Sequence, residues 1–263
     1  MPRPANASDP ARRIHRMTSS WPYPRWIAHR GAGKLAPENT MSAFRLGAQH
    51  GYRMFECDAK LSADGVLFLL HDATLQRTTN GQGTGGERPW SALSQLDAGS
   101  WHSRAFAGES LPTLEALARW CLANHYCLNV EIKPTPGAEA ATGRAVGELL
   151  ARIWPATAVP PLLTSFKPDA LAAAQAAAPQ LPRGLLVDTL QDDCLALAQQ
   201  LGCQALVCNH ALWNVALVQQ VHALGMRALS YTVNDEWAAQ RLIDLGTDGI
   251  ITDRVDLFSP ADQ

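Results

Sequence analysis

Short apolar runs alternate along the chain with longer stretches rich in alanine and leucine. The short runs have the length and composition of buried strands, and they lie at 26–29, 53–58, 66–70, 127–133, 162–166, 184–187, 205–208, 227–233 and 249–252. The longer stretches have helical spacing and lie at 39–50, 113–124, 138–153, 168–178, 191–201, 213–224 and 235–245. This alternation predicts parallel strands joined by helical crossovers. About eight such units in roughly 250 residues predict an α/β fold, a closed (β/α)₈ TIM barrel, rather than an open sheet.

One long segment, residues 72–110, interrupts this rhythm. It contains Asn80-Gly81 and Gly85-Gly86 and shows no sustained period of either kind. Such dipeptides mark tight turns. An excursion of this length inside a compact domain is usually functional.

Polar side chains cluster at the ends of four strand-like runs, and they are His29 and Arg30, Glu56 and Asp58, His71, and Glu131 and Lys133. Because successive side chains of a strand point to opposite faces, Glu56 and Asp58 share one face. By the same rule Glu131 and Lys133 share another. Crowding such groups is costly unless they do chemistry. Catalytic residues of TIM barrels lie at the C-terminal ends of strands, so the pattern favours a metal-assisted hydrolase.

The acidic residues Glu56, Asp58 and Glu131 offer only oxygen ligands. Mg²⁺ and Ca²⁺ prefer ligand sets made only of oxygen atoms, whereas zinc does not. The three residues therefore indicate Mg²⁺ or Ca²⁺, with Mn²⁺ as a third candidate. The simpler interpretation is that Glu56 and Asp58 are surface charges of an edge strand. Their apolar neighbours Phe55 and Cys57 argue against a strand that is solvated on both faces.

Two histidines and two cations complete the candidate chemistry. With an unperturbed pKa of about 6.5, His29 and His71 can each give or take a proton near neutrality. Arg30 and Lys133 either form structural ion pairs with the carboxylates or bind an anion. Together with a divalent metal, they leave one surplus positive charge over the three carboxylates, which the single negative charge of a phosphodiester would neutralise.

Composition excludes several other classes of protein. The formal net charge is −2, and the 22 basic residues form no stripe, which argues against a nucleic-acid partner. No apolar stretch approaches the ~18 residues of a membrane span. The six cysteines form no CxxC pair, so we expect reduced thiols in a cytoplasmic protein. Residues 1–22 are predicted to be a disordered tail rather than a secretory or organellar targeting signal.

A series of short segments, in the same order along the chain from about Ile27 to Asp253, resembles the glycerophosphodiester phosphodiesterases, in particular the cytosolic bacterial branch. The segments that carry the resemblance are His29-Arg30-Gly31, Pro37-Glu38-Asn39-Thr40, Glu56-Cys57-Asp58, His71-Asp72, Leu75-Gln76-Arg77-Thr78-Thr79-Asn80-Gly81, Leu111-Pro112-Thr113-Leu114, Glu131-Ile132-Lys133-Pro134, Ser165-Phe166, Tyr231-Thr232-Val233-Asn234 and Gly249-Ile250-Ile251-Thr252-Asp253. No single tripeptide is specific for this family, but the whole set of segments in this order is.

The resemblance implies a single TIM-barrel domain over 23–260, with 72–110 as a small insertion folded over the barrel mouth. It also implies hydrolysis of small water-soluble glycerophosphodiesters to sn-glycerol 3-phosphate and an alcohol. Glu56, Asp58 and Glu131 would hold the metal. Arg30 and Lys133 would bind the phosphodiester.

By the same resemblance, His29 acts as base and His71 as acid, although the reverse assignment stays open. An internal nucleophile has a large advantage from proximity, so we expect the substrate's own hydroxyl to attack and form a cyclic phosphate. Phe166 and Tyr231 are candidates for an apolar wall against the substrate, or for core packing alone. Many family members carry Trp where Tyr231 stands.

Several alternatives remain open at this stage. A phospholipase D-like enzyme acting on lysophospholipids is a rival within the superfamily, and a non-catalytic binding barrel is a rival outside it. Glu38 either tethers Arg30 or helps to begin a helix. Gly31-Ala32-Gly33-Lys34 is interpreted as a turn, since it lacks the spacing of a P-loop. The departing alcohol and the formation of a homo-oligomer are undetermined.

Overall fold

The computed structural model describes residues 21–260. Its strands are β1 (Trp26–Ala28), β2 (Met54–Leu61), β3 (Leu67–Leu69), β4 (Cys127–Ile132), β5 (Leu162–Ser165), β6 (Arg183–Val187), β7 (Ala205–Asn209), β8 (Arg227–Tyr231) and β9 (Gly249–Thr252). Its helices are α1 (Met41–Gln49), α2 (Trp90–Leu93), α3 (Leu114–Ala123), α4 (Glu139–Ile153), α5 (Pro168–Ala177), α6 (Cys194–Gln200), α7 (Val215–Ala223) and α8 (Glu236–Leu245).

Eight of these strands close into a parallel barrel. Going round the barrel, the order is β1, β2, β4, β5, β6, β7, β8 and β9, and β1 closes the ring by pairing with both β2 and β9. Helices α1 and α3 to α8 form the crossovers between consecutive barrel strands. The predicted (β/α)₈ barrel is therefore confirmed.

The strand predicted over 66–70 differs from the others in its direction. β3 pairs antiparallel with β2, with Ala59 opposite Leu69, so the expectation of a parallel strand was wrong here. A connection of only a few residues joins β2 to β3, too short for a helical crossover. This hairpin returns the chain to the barrel mouth, where the Leu70 amide donates to the Asp58 carbonyl oxygen over 3.0 Å. His71 thereby reaches the mouth from outside the barrel.

The period-two alternation of each strand divides the buried side chains into two layers. Ile27, Met54 and Leu229 belong to the cluster inside the barrel, whereas Phe55 and Cys57 pack in the larger layer between strands and helices. Polar side chains in phase with Met54 therefore point into the barrel, toward its C-terminal mouth.

Residues 72–110 form a compact segment that shares a small apolar cluster with β3 and with residues just outside the segment. That cluster comprises Phe68, Leu70, Leu75, Leu93, Ala98 and Leu111. The segment docks on the loop after β1, because the Arg77 guanidinium contacts the Glu38 carboxylate over 2.8 Å and the His102 ring lies 3.0 Å from the Lys34 carbonyl oxygen. Both contacts are on the C-terminal side of the barrel.

The predicted tail lies outside the described residues except for its last two. Trp21, one of these two, packs edge-to-face on Tyr23 with 4.6 Å between ring centroids. Within residues 21–260, no helix has the length and apolar character that a membrane crossing requires.

The turn after β1 depends on close backbone packing at Gly33. Its amide donates to the His29 carbonyl oxygen over 2.9 Å, so the stretch Gly31 to Lys34 is a turn, as predicted. Gly33 has φ +57, and an added Cβ would lie 2.1 Å from the carbonyl oxygen of Asp253. The turn is thus pressed against the end of β9.

We predict that Gly33→Ala destabilises the protein far more than Gly65→Ala. Gly65 also has a left-handed φ, of +85, but an added Cβ would meet nothing within 4 Å. The control should lose about 1 kcal/mol of unfolding free energy from backbone strain alone, and Gly33→Ala at least about 2 kcal/mol more from the clash. Denaturant unfolding measures both values, and equal losses would show that the contact with Asp253 does not matter.

Candidate active site

Glu56, Asp58 and Glu131, hereafter the carboxylate trio, meet inside the barrel mouth. β2 and β4 are neighbours, and their register sets Asp58 directly beside Glu131. One oxygen from each residue can be chosen so that all three lie within 4.8 Å of one another. Glu56 and Asp58 are buried and Glu131 is partly buried.

Two oxygens of the carboxylate trio lack hydrogen-bond partners. They are Glu56 Oε1 and Asp58 Oδ1, both buried. A buried acceptor without a partner is costly, whereas converging carboxylate oxygens are the ligands that hard divalent cations prefer. Burial and the nearby Asp58 charge raise the pKa of Glu56 well above its usual range, and the same two causes raise the pKa of Glu131 to about 7. The trio thus fits a divalent cation that would offset this crowding.

Asp58 behaves differently because a buried asparagine and several cations surround it. Burial opposes its ionisation, but Arg30, His71 and Lys133 outweigh burial and lower its pKa to about 2. Asn39 donates to Asp58 Oδ2 over 2.8 Å and accepts from the Asp58 amide over 3.1 Å. The sequence analysis assigned no role to Asn39. Asn39 adopts a left-handed conformation, with φ +59, which asparagine tolerates better than most residues.

Arg30 links the turn after β1 to both carboxylates of β2. Its amide donates to Glu56 Oε2 over 3.0 Å, and its Nε lies 3.2 Å from Asp58 Oδ2. Its Nη1 donates to Glu38 over 2.9 Å. Glu38 therefore tethers Arg30, and it is Thr40 that caps α1, which resolves the two readings of Glu38.

Lys133 is the second cation of the mouth. Its Nζ donates to Glu131 Oε1 over 2.8 Å and lies 3.8 Å from Asp58 Oδ1. A buried lysine that sequence reasoning missed, Lys60, donates to the Lys133 carbonyl oxygen over 2.7 Å. Burial lowers the pKa of Lys60 to about 8. Lys60 holds the end of β4 and so fixes the direction from which Lys133 enters the cavity.

His29 is oriented by a carboxylate from the far end of the chain. Its Nδ1 lies 2.6 Å from Asp253 Oδ1, and Asn234 donates to the other Asp253 oxygen over 2.9 Å. Burial opposes ionisation of Asp253, but the hydrogen bonds from His29 and Asn234 and the charges of His29 and Arg30 together outweigh it, and the pKa of Asp253 falls to about 2. An ionised Asp253 accepts from Nδ1–H and leaves the His29 Nε2 lone pair facing the cavity.

His71 has an analogous partner next to it in sequence. Its Nδ1 lies 2.7 Å from Asp72 Oδ1, and Arg77 contacts both Asp72 and Glu38. Burial lowers the pKa of His71 below its usual value. Each histidine is thus held at Nδ1 by its own carboxylate. The sequence did not indicate that Asp72 and Asp253 would orient the histidines.

The nine residues predicted for the site come together in one place. A cavity of about 230 Å³ at the barrel mouth is lined by eight of them, namely His29, Arg30, Glu56, His71, Glu131, Lys133, Phe166 and Tyr231. Asp58 lies behind these, fully buried. The rings of Phe166 and Tyr231 pack edge-to-face with 5.7 Å between centroids. Their position is therefore at the cavity and not only in the core.

Residues 29–257 match the model of the glycerophosphoryl diester phosphodiesterase family. The chain belongs to this family. The matched range includes every residue of the cavity described above. It also includes the segment 72–110.

Individual family members are similar over nearly their whole length. A glycerophosphodiester phosphodiesterase of Caldanaerobacter subterraneus is 32% identical, over 86% of this chain and 93% of that protein. The structure of an Oleispira antarctica phosphodiesterase in complex with its product sn-glycerol-3-phosphate has a TM-score of 0.86 and 35% identity, covering 92% of this chain and 98% of that one. The glycerophosphodiester phosphodiesterase of Agrobacterium tumefaciens has a TM-score of 0.71 and 30% identity, covering 90% and 99%.

We predict that divalent cations stabilise this family member through the carboxylate trio. Adding Mg²⁺ or Ca²⁺ at a hundred times its dissociation constant to chelator-treated protein should raise the free energy of unfolding by about 2.7 kcal/mol. Asp58→Asn and Glu131→Gln should lose this increment. Glu148→Gln, a control at an exposed glutamate, should keep it, and an increment that survives in the trio variants would place the cation elsewhere.

Proposed function

We propose that the protein hydrolyses small glycerophosphodiesters to sn-glycerol 3-phosphate and an alcohol. The observation that carries this proposal is a single cavity in which two oriented histidines and two cations converge on a carboxylate trio that could hold a cation, in a chain of this family. The product bound by the Oleispira relative supports the same reaction. The six cysteines are all free thiols, which supports a cytoplasmic location.

The charges of the cavity suit a phosphodiester. The Arg30 guanidinium and the Lys133 ammonium would contact the phosphate oxygens, and Phe166 and Tyr231 would contact the carbon atoms of the substrate. We propose Mg²⁺ or Ca²⁺ as the ion of the carboxylate trio, with Mn²⁺ as a third candidate. When bound, such a cation supplies positive charge that polarises the phosphoryl group and acidifies a nearby hydroxyl.

Proton transfer falls to the two histidines. We assign His29 as the base, because Asp253 accepts from its Nδ1–H and Nε2 is free to take a proton from the glycerol hydroxyl next to the phosphorylated carbon. That hydroxyl then attacks phosphorus, and the alcohol leaves with a proton from His71. A five-membered cyclic phosphate results. In the second step His71 takes a proton from water, and the water oxygen attacks phosphorus. The bond from phosphorus to the glycerol oxygen that attacked in the first step breaks, and His29 returns a proton to that oxygen.

The alternatives are not favoured. A phospholipase acting on lysophospholipids needs an open apolar surface beside its site, but in this chain the segment 72–110 packs beside the mouth through Arg77 and His102. A non-catalytic barrel would have no need of two histidines that are each oriented by a carboxylate.

A panel of substrates tests the proposed function. Glycerophosphocholine and glycerophosphoethanolamine should release glycerol 3-phosphate far faster than long-chain lysophospholipids, because the cavity of about 230 Å³ suits a small diester. Excess chelator should abolish the release. His71→Ala should lower kcat by ~10² to 10⁴-fold. A preference for lysophospholipid, or full activity in chelator, would contradict the proposal.

A substrate analogue tests the internal nucleophile separately. A diester whose glycerol lacks the hydroxyl next to the phosphorylated carbon should inhibit competitively but react very slowly, because the proximity advantage of ~10⁵ M or more is lost. Its rate is measured by release of the alcohol and compared with that of the parent diester. Turnover at the parent rate would show direct attack by water, with the residues of the site otherwise unchanged in role.

A further inference from the structure

An acidic side chain at the rim of the cavity has no part in the proposed chemistry. Asp188 directly follows β6, which β5 separates from β4, one of the two strands that carry the carboxylate trio. Its Oδ1 lies 3.4 Å from the Tyr231 hydroxyl and accepts from the side-chain amide of Asn209 over 3.4 Å. Tyr231 itself lines the cavity. The carboxylate is therefore one side chain removed from the space that the substrate would fill.

Asp188 is exposed. Between residues 21 and 260, no Lys, Arg or His nitrogen comes within 4.0 Å of its carboxylate. The inner part of the mouth, in contrast, holds Arg30 and Lys133 close to the phosphate position. Two cations thus lie in the inner cavity, whereas this part of its rim carries the Asp188 carboxylate.

Two aromatic rings fill the space between the cations and Asp188. Lys133 Nζ lies 5.6 Å from the centroid of the Phe166 ring, and that ring packs edge-to-face on Tyr231. Phe166 keeps 37% of its surface exposed. Aromatic faces attract ammonium groups, most strongly where water is partly excluded. Phe166, Tyr231 and Asp188, hereafter the rim patch, therefore combine apolar faces with one carboxylate that has no cation partner among residues 21–260.

We propose that the rim patch binds the positively charged head of the departing alcohol, a quaternary or primary ammonium group, and that Asp188 determines this specificity. The proposal rests on the proposed function. A zwitterionic diester would place its phosphate against Arg30 and Lys133 and its ammonium against Asp188. A neutral alcohol gains nothing from Asp188, and an anionic one is repelled by it.

The test compares two diesters that share the glycerophosphate half. Glycerophosphocholine carries a quaternary ammonium and glycerophosphoglycerol a neutral alcohol, and both release glycerol 3-phosphate. In Asp188→Asn the ratio of kcat/KM for the first diester to that for the second should fall by about 3- to 10-fold, as for a partly screened ion pair. The fall should shrink in 1 M salt, where the Debye length is about 3 Å.

A matched variant controls for the loss of one negative charge. Asp192 is exposed in the same connection between β6 and α6, and Asp192→Asn should leave the ratio as in the wild type. A direct probe is tetramethylammonium, whose inhibition constant against glycerophosphoglycerol hydrolysis should rise in Asp188→Asn and in Phe166→Leu.

Three results would overturn the proposal. An unchanged kcat/KM for both diesters in Asp188→Asn would show that the carboxylate does not sense the alcohol. Equal losses on both diesters would indicate that Asp188 contacts the shared glycerol half. Wild-type protein that hydrolyses neither diester would refute the proposed function itself, and the subsite with it.

Discussion

Mutual repulsion among three carboxylates within a few ångströms of one another is the constraint on which the rest of the site depends. Glu56, Asp58 and Glu131 point into the barrel mouth, where burial strengthens every charge interaction. Arg30 and Lys133 offset part of this repulsion through direct ion pairs. The remaining unpartnered oxygens call for a divalent cation.

The surrounding structure holds the charged side chains through a second set of polar contacts. Asn39 forms hydrogen bonds with both the carboxylate and the backbone amide of Asp58. Lys60 donates to the backbone carbonyl oxygen of Lys133. Asp253 and Asp72 orient the two histidines. Since these side chains are held by polar partners, some distant in sequence as for His29 and one adjacent as for His71, the cavity is preorganised and loses little freedom when a substrate binds.

The segment 72–110 is joined to this network by charge as well as by its apolar cluster. Arg77 bridges Asp72, the partner of His71, to Glu38, the partner of Arg30. The cation on the barrel and the histidine on the hairpin are therefore connected through one guanidinium. If the segment docked incorrectly, both Arg30 and His71 would lose part of their support. This is the physical reason why an irregular stretch can belong to the site.

Sequence alone predicted the barrel, which the structure confirms, because period-two strands and helical spacing are local patterns. It also indicated nine candidate site residues, from strand-end polar residues such as Glu56 and Glu131 and from the family resemblance, and the structure brings these residues together at the barrel mouth. It did not determine the antiparallel course of β3, since apolar content is the same for either direction of pairing. Nor did it assign Asp253 to His29, 224 residues away, or Lys60 to Lys133. Such pairings depend on which strand ends meet when the barrel closes, and only the tertiary structure decides that.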